Sequence, residues 1–408
     1  MWSPVAARRS GFYQEWLLAS NHAGTDSLPQ DLFDTFEAMK TTAPGLSRQA
    51  FTAMLDQRTD FYGRNGIVKP DSFQRSYLQY TYCKFAVKKL LGEKSFTCPA
   101  CSPDQLVVSL DGNRKLYRFR SQLQCDEPGF FDGVFLAKDD DVQEFVENVR
   151  GSVKNVPGKA ICGSSQWHGF LLKGLNMYRG EIYAYPMYLH KEFSKAKYVA
   201  LDVTCKYVPY LNKVAEKIPA LHPLTEMKAC LSVMHAKAHN TKCEIKLSAR
   251  NQAGIGTTIG EEVEQVNSFL SRCGITTKFM SKAVRTDMLT VHALGWNKRK
   301  SHRLHQSLSA RFKKVSQDTE EAMKKLSNMQ QELQCSAETL LIWVTHVQEW
   351  AAKDTSQVHH GDTEELQLSI ETLFTSICAK KHHLYRQNDR NKTRQKIARI
   401  IAQKRRLC

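Results

Sequence analysis

His235, His239 and Cys243 recur every four residues in residues 231–268, LSVMHAKAHNTKCEIKLSARNQAGIGTTIGEEVEQVNS. Imidazole nitrogens and thiolates are zinc ligands, and helical positions i and i+4 share a face, so His235 and His239 can present two rings to one ion. Each four-residue step drifts by about 40° at 3.6 residues per turn, so Cys243 joins them only if the helix ends first. Asn240 is a residue suited to that ending. The plainer reading, a core histidine, a surface histidine and a buried cysteine, is equally compatible with the spacing. After the glycines at 254, 256 and 260, Glu261, Glu262 and Glu264 open an amphipathic helix, so carboxylates stand beside the metal ligands.

A second thiolate pair, Cys98 and Cys101 in FTCPACSP, lies on a proline-containing knuckle of the kind that gives zinc two ligands. One CxxC is half a site, or an uncommitted thiol pair. Cys83, Cys125 or Cys162 can each complete it.

Two further carboxylates end apolar runs. Residues 105–120, QLVVSLDGNRKLYRFR, read as a strand ending at Asp111-Gly112-Asn113, then a second strand with alternating basic residues. Residues 197–207, KYVALDVTCKY, read as a β-branched strand ending at Asp202. A carboxylate at a strand end is delivered to the sheet edge as a hard oxygen ligand suited to Mg²⁺ or Mn²⁺. At Asp111 a simple Asp-Gly hairpin competes with this reading. Two strands ending in Asp, followed far downstream by a helix bearing Glu261 and Glu264, give the order of a ribonuclease-H-like two-metal site. There three carboxylates hold two divalent ions about 3.5–4 Å apart, one activating an attacking oxygen and the other stabilising the leaving oxygen.

The elements that must position these groups occupy a chain of 408 residues, 42% hydrophobic and 24% charged, long enough for two or three domains. Lys and Arg number 58 against 41 Asp and Glu, a formal charge of +17 that favours a polyanion, first of all nucleic acid. No apolar run approaches the roughly 18 residues of a membrane span, and MWSPVAARRSGFY lacks a signal peptide's apolar core, so an intracellular protein is expected. Twelve cysteines in a reducing compartment point to metal or core use. Residues 1–95 read as a helical entry region without visible chemistry, and residues 126–160 as an acidic, loop-rich excursion with a short helix at 142–149. The aromatics of 161–189 fit base stacking or, more commonly, core. Residues 269–299 read as helical and basic, with Arg272, Lys278, Lys282 and Arg285 offering phosphate contacts or a solvated face. Residues 308–333 carry apolar or small residues every three to four positions, as in a coiled-coil seam. A helix beginning near Glu364 and a basic tail over 380–406, suited to a localisation signal or a nucleic-acid arm, close the chain.

CPAC followed by SLDGN, then LNMYRGEIYAYPMYL, LDVTCKY, MHAKAHNTKCEIK and GIGTTIGEEVEQVNSFLSR resemble the landmarks, in order, of the Kyakuja-Dileera-Zisupton transposases, specifically their Zisupton-like members. The resemblance spans residues 31–311. It implies an α/β fold with a ribonuclease-H-like DDE core at 96–300, a helical N-terminal region at 1–95, a coiled coil or helical hairpin at 301–353, and a helix with basic tail at 354–408. It further implies Mg²⁺- or Mn²⁺-dependent cutting and joining of DNA in the nucleus, with Asp111 and Asp202 as the two aspartates. Gly260, Glu261 and Glu264 match the family's Gly-Glu-x-x-Glu, with Glu261 favoured as third ligand and Glu264 its substitute. His235, His239 and Cys243 match the family's zinc-binding stretch. Homo-oligomerisation through the C-terminal helices is compatible with this reading.

One departure bears on activity. Trp167 joins directly to His168-Gly169, so the Cys and Arg of the family's Cys-Arg-His-Gly motif are absent and His168 stands as a remnant zinc ligand. The resemblance therefore implies an internal deletion, by splicing, a faulty gene model or decay, that removes a strand along with the ligand. Gln265 also stands where the family often has Arg, and no separate DNA-binding zinc finger is evident ahead of residue 30. The alternative to a transposase is a domesticated DNA- or chromatin-binding protein without catalysis.

Overall fold

The computed structural model describes residues 30–102, 105–119, 128–153, 163–166, 168–178, 182–255 and 261–353. Three helices, α1 (Gln30–Thr42), α2 (Arg48–Phe61) and α3 (Pro70–Leu90), precede the sheet. Ser47 caps α2 by accepting from the Ala50 amide at 3.0 Å, and Pro70 opens α3 where no amide hydrogen is needed. Their apolar faces meet in a cluster of rings, Phe33, Phe36, Phe51, Phe73 and Tyr77.

Strand β1 (Val107–Asp111) lies at the centre of a five-stranded sheet that continues with β2 (Gly163–Gln166), β3 (Leu171–Gly174), β4 (Tyr198–Ala200) and β5 (Lys228–Cys230), in the order β3-β2-β1-β4-β5. β2 runs antiparallel to both β1 and β3, whereas β4 and β5 run parallel to β1. Parallel neighbours need crossovers. Helices α4 (Asp139–Ser152), α5 (Ala184–Glu192) and α6 (Thr204–Ala215) run between the strands and cover one face.

Because successive side chains alternate across a strand, Val108, Leu110, Leu172 and Val199 enter the core with Val142, Val146, Leu189 and Tyr207 of those helices. Val107, Tyr198 and Ala200 point to the opposite face, where Cys230 and Val233 join them. Beyond β5 come two short helices, α7 (Val233–Ala236) and α8 (Thr241–Leu247), and then the long α9 (Glu261–Thr277) and α10 (Lys282–His302). Val266, Phe269 and Leu270 of α9 and Leu289 of α10 pack on Leu171 at this second face. Met288 and Val291, also on α10, enter the ring cluster of α1–α3, so α10 is shared by sheet and entry helices. Two more helices, α11 (Leu304–Leu333) and α12 (Ala337–Ala352), complete the described chain.

The fold is thus mixed α/β and mostly helical, and two expectations fail in it. The basic strand predicted after Asp111 is a 3₁₀ turn, Arg114–Leu116, because the Asn113 side chain caps the Lys115 amide at 3.2 Å and bends the chain onto α9. β1 takes its antiparallel partner from β2 instead, with Asp111 opposite Gly163. Nor, among the described residues, is the sheet broken where the motif is interrupted. β2 and β3 pair across the turn that holds His168 and Gly169, and Gly169 supplies the positive φ of 73° that closes it. The helix near Glu364 and the basic tail lie outside the described residues.

Gly274 marks the closest approach of α9 to the 3₁₀ turn, where a Cβ would stand 2.7 Å from the Lys115 carbonyl oxygen. On an open helix face Gly→Ala gains about 1 kcal/mol from propensity. Here backbone must move, and Gly274→Ala is expected to lose about 1–3 kcal/mol in urea unfolding.

Candidate metal centres

Register brings the two aspartates together. Ser109 and Ala200 are partners in the parallel pair of β1 and β4, so Asp111 and Asp202, each two residues further on, leave the same sheet edge side by side. By strand alternation both belong to the face covered by α9. That helix brings Glu264 to the same edge. Oxygens of Asp202 and Glu264 and a ring nitrogen of His235 all lie within 4.8 Å of one another. His235 Nδ1 is 2.7 Å from Asp202 Oδ1, and its Nε2 is 3.8 Å from Glu264 Oε1.

Asp111 is fixed by its own loop and by α9. Its Oδ1 accepts from the Gly112 amide at 2.6 Å, and its Oδ2 accepts from the Asn267 side-chain amide. Asn113 is buried and donates to the Asn267 carbonyl at 3.0 Å, while Ser271 donates to Asn113 Oδ1 at 3.1 Å. The Asn of Asp-Gly-Asn therefore fastens the carboxylate loop to the helix carrying Glu264. Asn267 follows Glu264 by one turn on the same face; the i+3 spacing was present in the sequence, but an amide carries no charge to single it out.

Burial raises Asp111 to about 7, with repulsion from Asp202 and then Glu264 adding to it and the Gly112 amide and His235 opposing. His235 is raised, first by its hydrogen bond to Asp202. Crowded carboxylates of this kind are a donor set that a divalent cation neutralises.

The predicted His235, His239, Cys243 triad is divided. Helix α7 stops at Ala236, and Asn240 begins α8 by accepting from the Cys243 amide at 2.7 Å, so the three do not line one helix face. His235 turns to the carboxylates, and Cys205 takes its place. The ligand atoms of Cys205, His239 and Cys243 lie within 4.8 Å, with Cys205 Sγ 3.5 Å from His239 Nδ1. Cys205 sits in the first turn of α6, a place no CxxC or His spacing could reveal.

A second cluster joins the knuckle to the interrupted motif. Cys98 and Cys101 sulfurs stand 3.3 and 3.1 Å from His168 Nδ1. A hydrogen bond from Cys101 lowers Cys98 to about 5, its thiolate further favoured by His168, while Cys101 is raised in turn. Two sulfurs and one imidazole nitrogen are a zinc donor set, and both Cys/His clusters can hold such a metal.

Of the basic residues on α9 and α10, Arg285 is an internal strut: it is 7% exposed and donates to Asn176 Oδ1 at 2.9 Å and to the Leu116 carbonyl. It is not placed for phosphate. Lys282 pairs with Asp139 at 2.7 Å. Arg272 is exposed, and Lys278 stands over the exposed rings of Tyr117, Phe119 and Phe279. Glu262 is buried and paired with Arg311 of α11 at 2.6 Å, while the Glu261 side chain lies outside the described residues, which leaves Glu264 as the glutamate placed at the edge.

Residues 104–297 match the model of the Kyakuja-Dileera-Zisupton (KDZ) transposase family. That span, just under half of the chain, is similar to a KDZ transposase domain. No curated protein and no solved structure matches it. The matched segment contains the carboxylates, His235, Asn267 and the Cys205 cluster, while Cys98 and Cys101 precede it. The KDZ match suggests a transposase-like function with DNA as partner, and among the described residues no helix is long and apolar enough to cross a membrane.

Two outcomes test these centres. A carboxyl whose folded pKa is raised contributes stability below its unfolded pKa, near 3.8, and loses it as pH rises through about 7. Metal-free protein should therefore melt lower at pH 8 than at pH 5.5, and Asp111→Asn should stabilise it at pH 8 by on the order of 1 kcal/mol, about 2–4 °C for a domain of this size. Metal analysis should find zinc that falls in Cys205→Ser and His239→Ala and is retained in His235→Ala.

Proposed function

We propose that this protein is a DNA transposase-like enzyme that cuts and joins DNA strands at an edge of a ribonuclease-H-like sheet. The observation that carries the reading is the grouping of Asp202 and Glu264 within 4.8 Å, with Asp111 on the neighbouring parallel strand close enough for both charges to raise its pKa, inside the KDZ-matched segment. The strand order β3-β2-β1-β4-β5, with β2 alone reversed, supports the ribonuclease-H-like assignment. The intact hairpin at Gly169 supports activity despite the interrupted motif.

Asp111, Asp202 and Glu264 would hold Mg²⁺ or Mn²⁺, which when bound offset the charge of the scissile phosphodiester and lower the pKa of the attacking oxygen. Glu264 replaces Glu261 as the favoured third ligand because its carboxylate is the one placed beside Asp202. Asn267 and Gly112 orient Asp111, and Asn113 keeps the loop on α9. In the first step a water oxygen attacks phosphorus and the P–O3′ bond breaks, leaving a 3′ hydroxyl and a 5′ phosphate. In the second that 3′ oxygen attacks a target phosphodiester, forming a new P–O bond and releasing the target's own 3′ oxygen. Exposed Arg272 near the C-terminal end of α9, and half-buried Lys278 just beyond it, lie where a duplex leaving the site can meet them. A nuclear site of action follows from the DNA substrate.

Two copies are inferred to assemble through α11. None of its residues is buried, and its seam exposes Phe312 at 75%, Val315 at 62% and Leu326 at 51%. Such a stripe is the face of a coiled coil. Phe312→Glu with Leu326→Glu should convert a two-chain species into a single chain in sedimentation.

Purified full-length protein should nick supercoiled DNA only with Mg²⁺ or Mn²⁺, and Asp202→Asn or Glu264→Gln should lower the rate about 10²–10³-fold, the scale of losing a principal transition-state stabiliser. Nicking unchanged in both variants contradicts the assignment, and salt-sensitive DNA binding without nicking supports a non-catalytic binder. Arg272→Glu should weaken DNA binding and reduce the salt slope by about 1.

A further inference from the structure

We propose that His235 is a nitrogen ligand of the carboxylate centre, so that the site favours Mn²⁺ and its transition-metal neighbours over Mg²⁺. The proposal rests on the reading of that centre as an ion site, and goes beyond it by adding a ligand of different chemistry.

The ring's surroundings assign its two nitrogens. Nδ1 lies 2.7 Å from Asp202 Oδ1 and 2.9 Å from Ser232 Oγ. An ionised carboxylate only accepts, so Nδ1 keeps its proton, and Nε2 is the nitrogen left to give its lone pair to an ion, releasing any proton it carries as the ion binds. Nε2 is the nitrogen turned to Glu264, 3.8 Å from Oε1. That separation is too long for a hydrogen bond. Two ligands of one cation, each bonded at about 2.0–2.2 Å, stand roughly 3–4 Å apart. A simple ion pair between imidazolium and Glu264 would draw the two atoms into hydrogen-bond contact; here they face one another across a gap of ligand-to-ligand size.

The arrangement behind the ring has the same logic. A carboxylate on the far nitrogen fixes the tautomer and orientation of a metal-bound histidine. Asp202 does this through Oδ1. Ser232 adds a further restraint, because its hydroxyl also accepts from the His235 amide as the N-cap of α7. The helix break that separates His235 from His239 aims this ring at the carboxylates. The side chains of His235, Asp202 and Glu264 are 26%, 34% and 45% exposed, open enough for ion and substrate to enter.

Donor type then sets preference. Mg²⁺ seeks oxygen ligands in a near-ideal octahedron, whereas imidazole suits the first-row transition metals. An Asp-His-Glu centre is therefore biased toward Mn²⁺ among the ions that support phosphoryl chemistry.

Binding of Mn²⁺ and of Mg²⁺ to the full chain, with zinc limited to what the two Cys/His clusters take up so that none occupies the carboxylate edge, followed by electron paramagnetic resonance with Mg²⁺ as competitor, tests this without requiring catalysis. Wild-type protein should bind Mn²⁺ at least about tenfold more tightly than Mg²⁺, the scale of one additional well-oriented ligand. Electron spin-echo modulation should show a ¹⁴N coupling on the bound Mn²⁺. His235→Asn should erase that coupling and the preference, while zinc content and Mg²⁺ affinity stay within about twofold. A missing nitrogen coupling in the wild type, or a preference that persists in His235→Asn, overturns the proposal even if the variant were poorly folded, because the first readout needs no variant. If Asp202→Asn and Glu264→Gln leave Mn²⁺ binding intact, the carboxylate centre itself fails; if they abolish it while His235→Asn changes nothing, only the imidazole's ligation fails.

Discussion

The structure depends on holding like charges together. Asp111 and Asp202 are set side by side by the parallel pairing of two short strands whose cores are Val107–Leu110 and Tyr198–Ala200. Apolar burial on both faces of the sheet fixes that register, since a one-residue slip would turn every side chain of β1 to the wrong face. The cost appears at Asp111, raised to about 7 in the absence of a cation. Packing energy gathered elsewhere maintains a cluster of like charges that a bound cation would relieve.

The two kinds of centre are linked through short stretches of chain. Cys205 follows Asp202 by three residues and His239 follows His235 by four, so the Cys205–His239–Cys243 cluster ties together the two segments that present Asp202 and His235. A metal there would restrain both. The C-terminal helices touch the same region: Arg311 of α11 reaches Glu262 on α9, and Lys242 of α8 donates to the Lys353 carbonyl at 3.1 Å and lies over the Trp350 ring. Assembly through α11 would thus be felt at the helix that carries Glu264.

Much of this was legible in the sequence because it rests on local pattern. VVSLD and YVALD announce strands that end in a carboxylate, and GEEVEQVNSFL announces a helix with acids at its start. What stayed hidden depends on three-dimensional neighbours. Helix spacing groups His235 with His239, yet the cap at Asn240 breaks the helix and sends the two rings to different centres. Cys205 is a single thiol in a helix, Arg285 a buried arginine that resembles any basic surface residue, and Asn113 a turn residue whose task is to hold α9. The interruption after Trp167 suggested a lost strand, but a glycine with positive φ lets β2 and β3 close directly.

On the proposed reading, residues far apart in the chain would share bound divalent cations at one sheet edge. Fe²⁺ substituted at that edge in zinc-loaded protein, with ascorbate and peroxide, generates radicals that cut the nearest backbone. Cleavage confined to the neighbourhoods of Asp111, Asp202 and Glu264, and suppressed by added Mn²⁺ or Mg²⁺, is the predicted result. Cuts that avoid those three places, or that persist undiminished under competing cation, would contradict it.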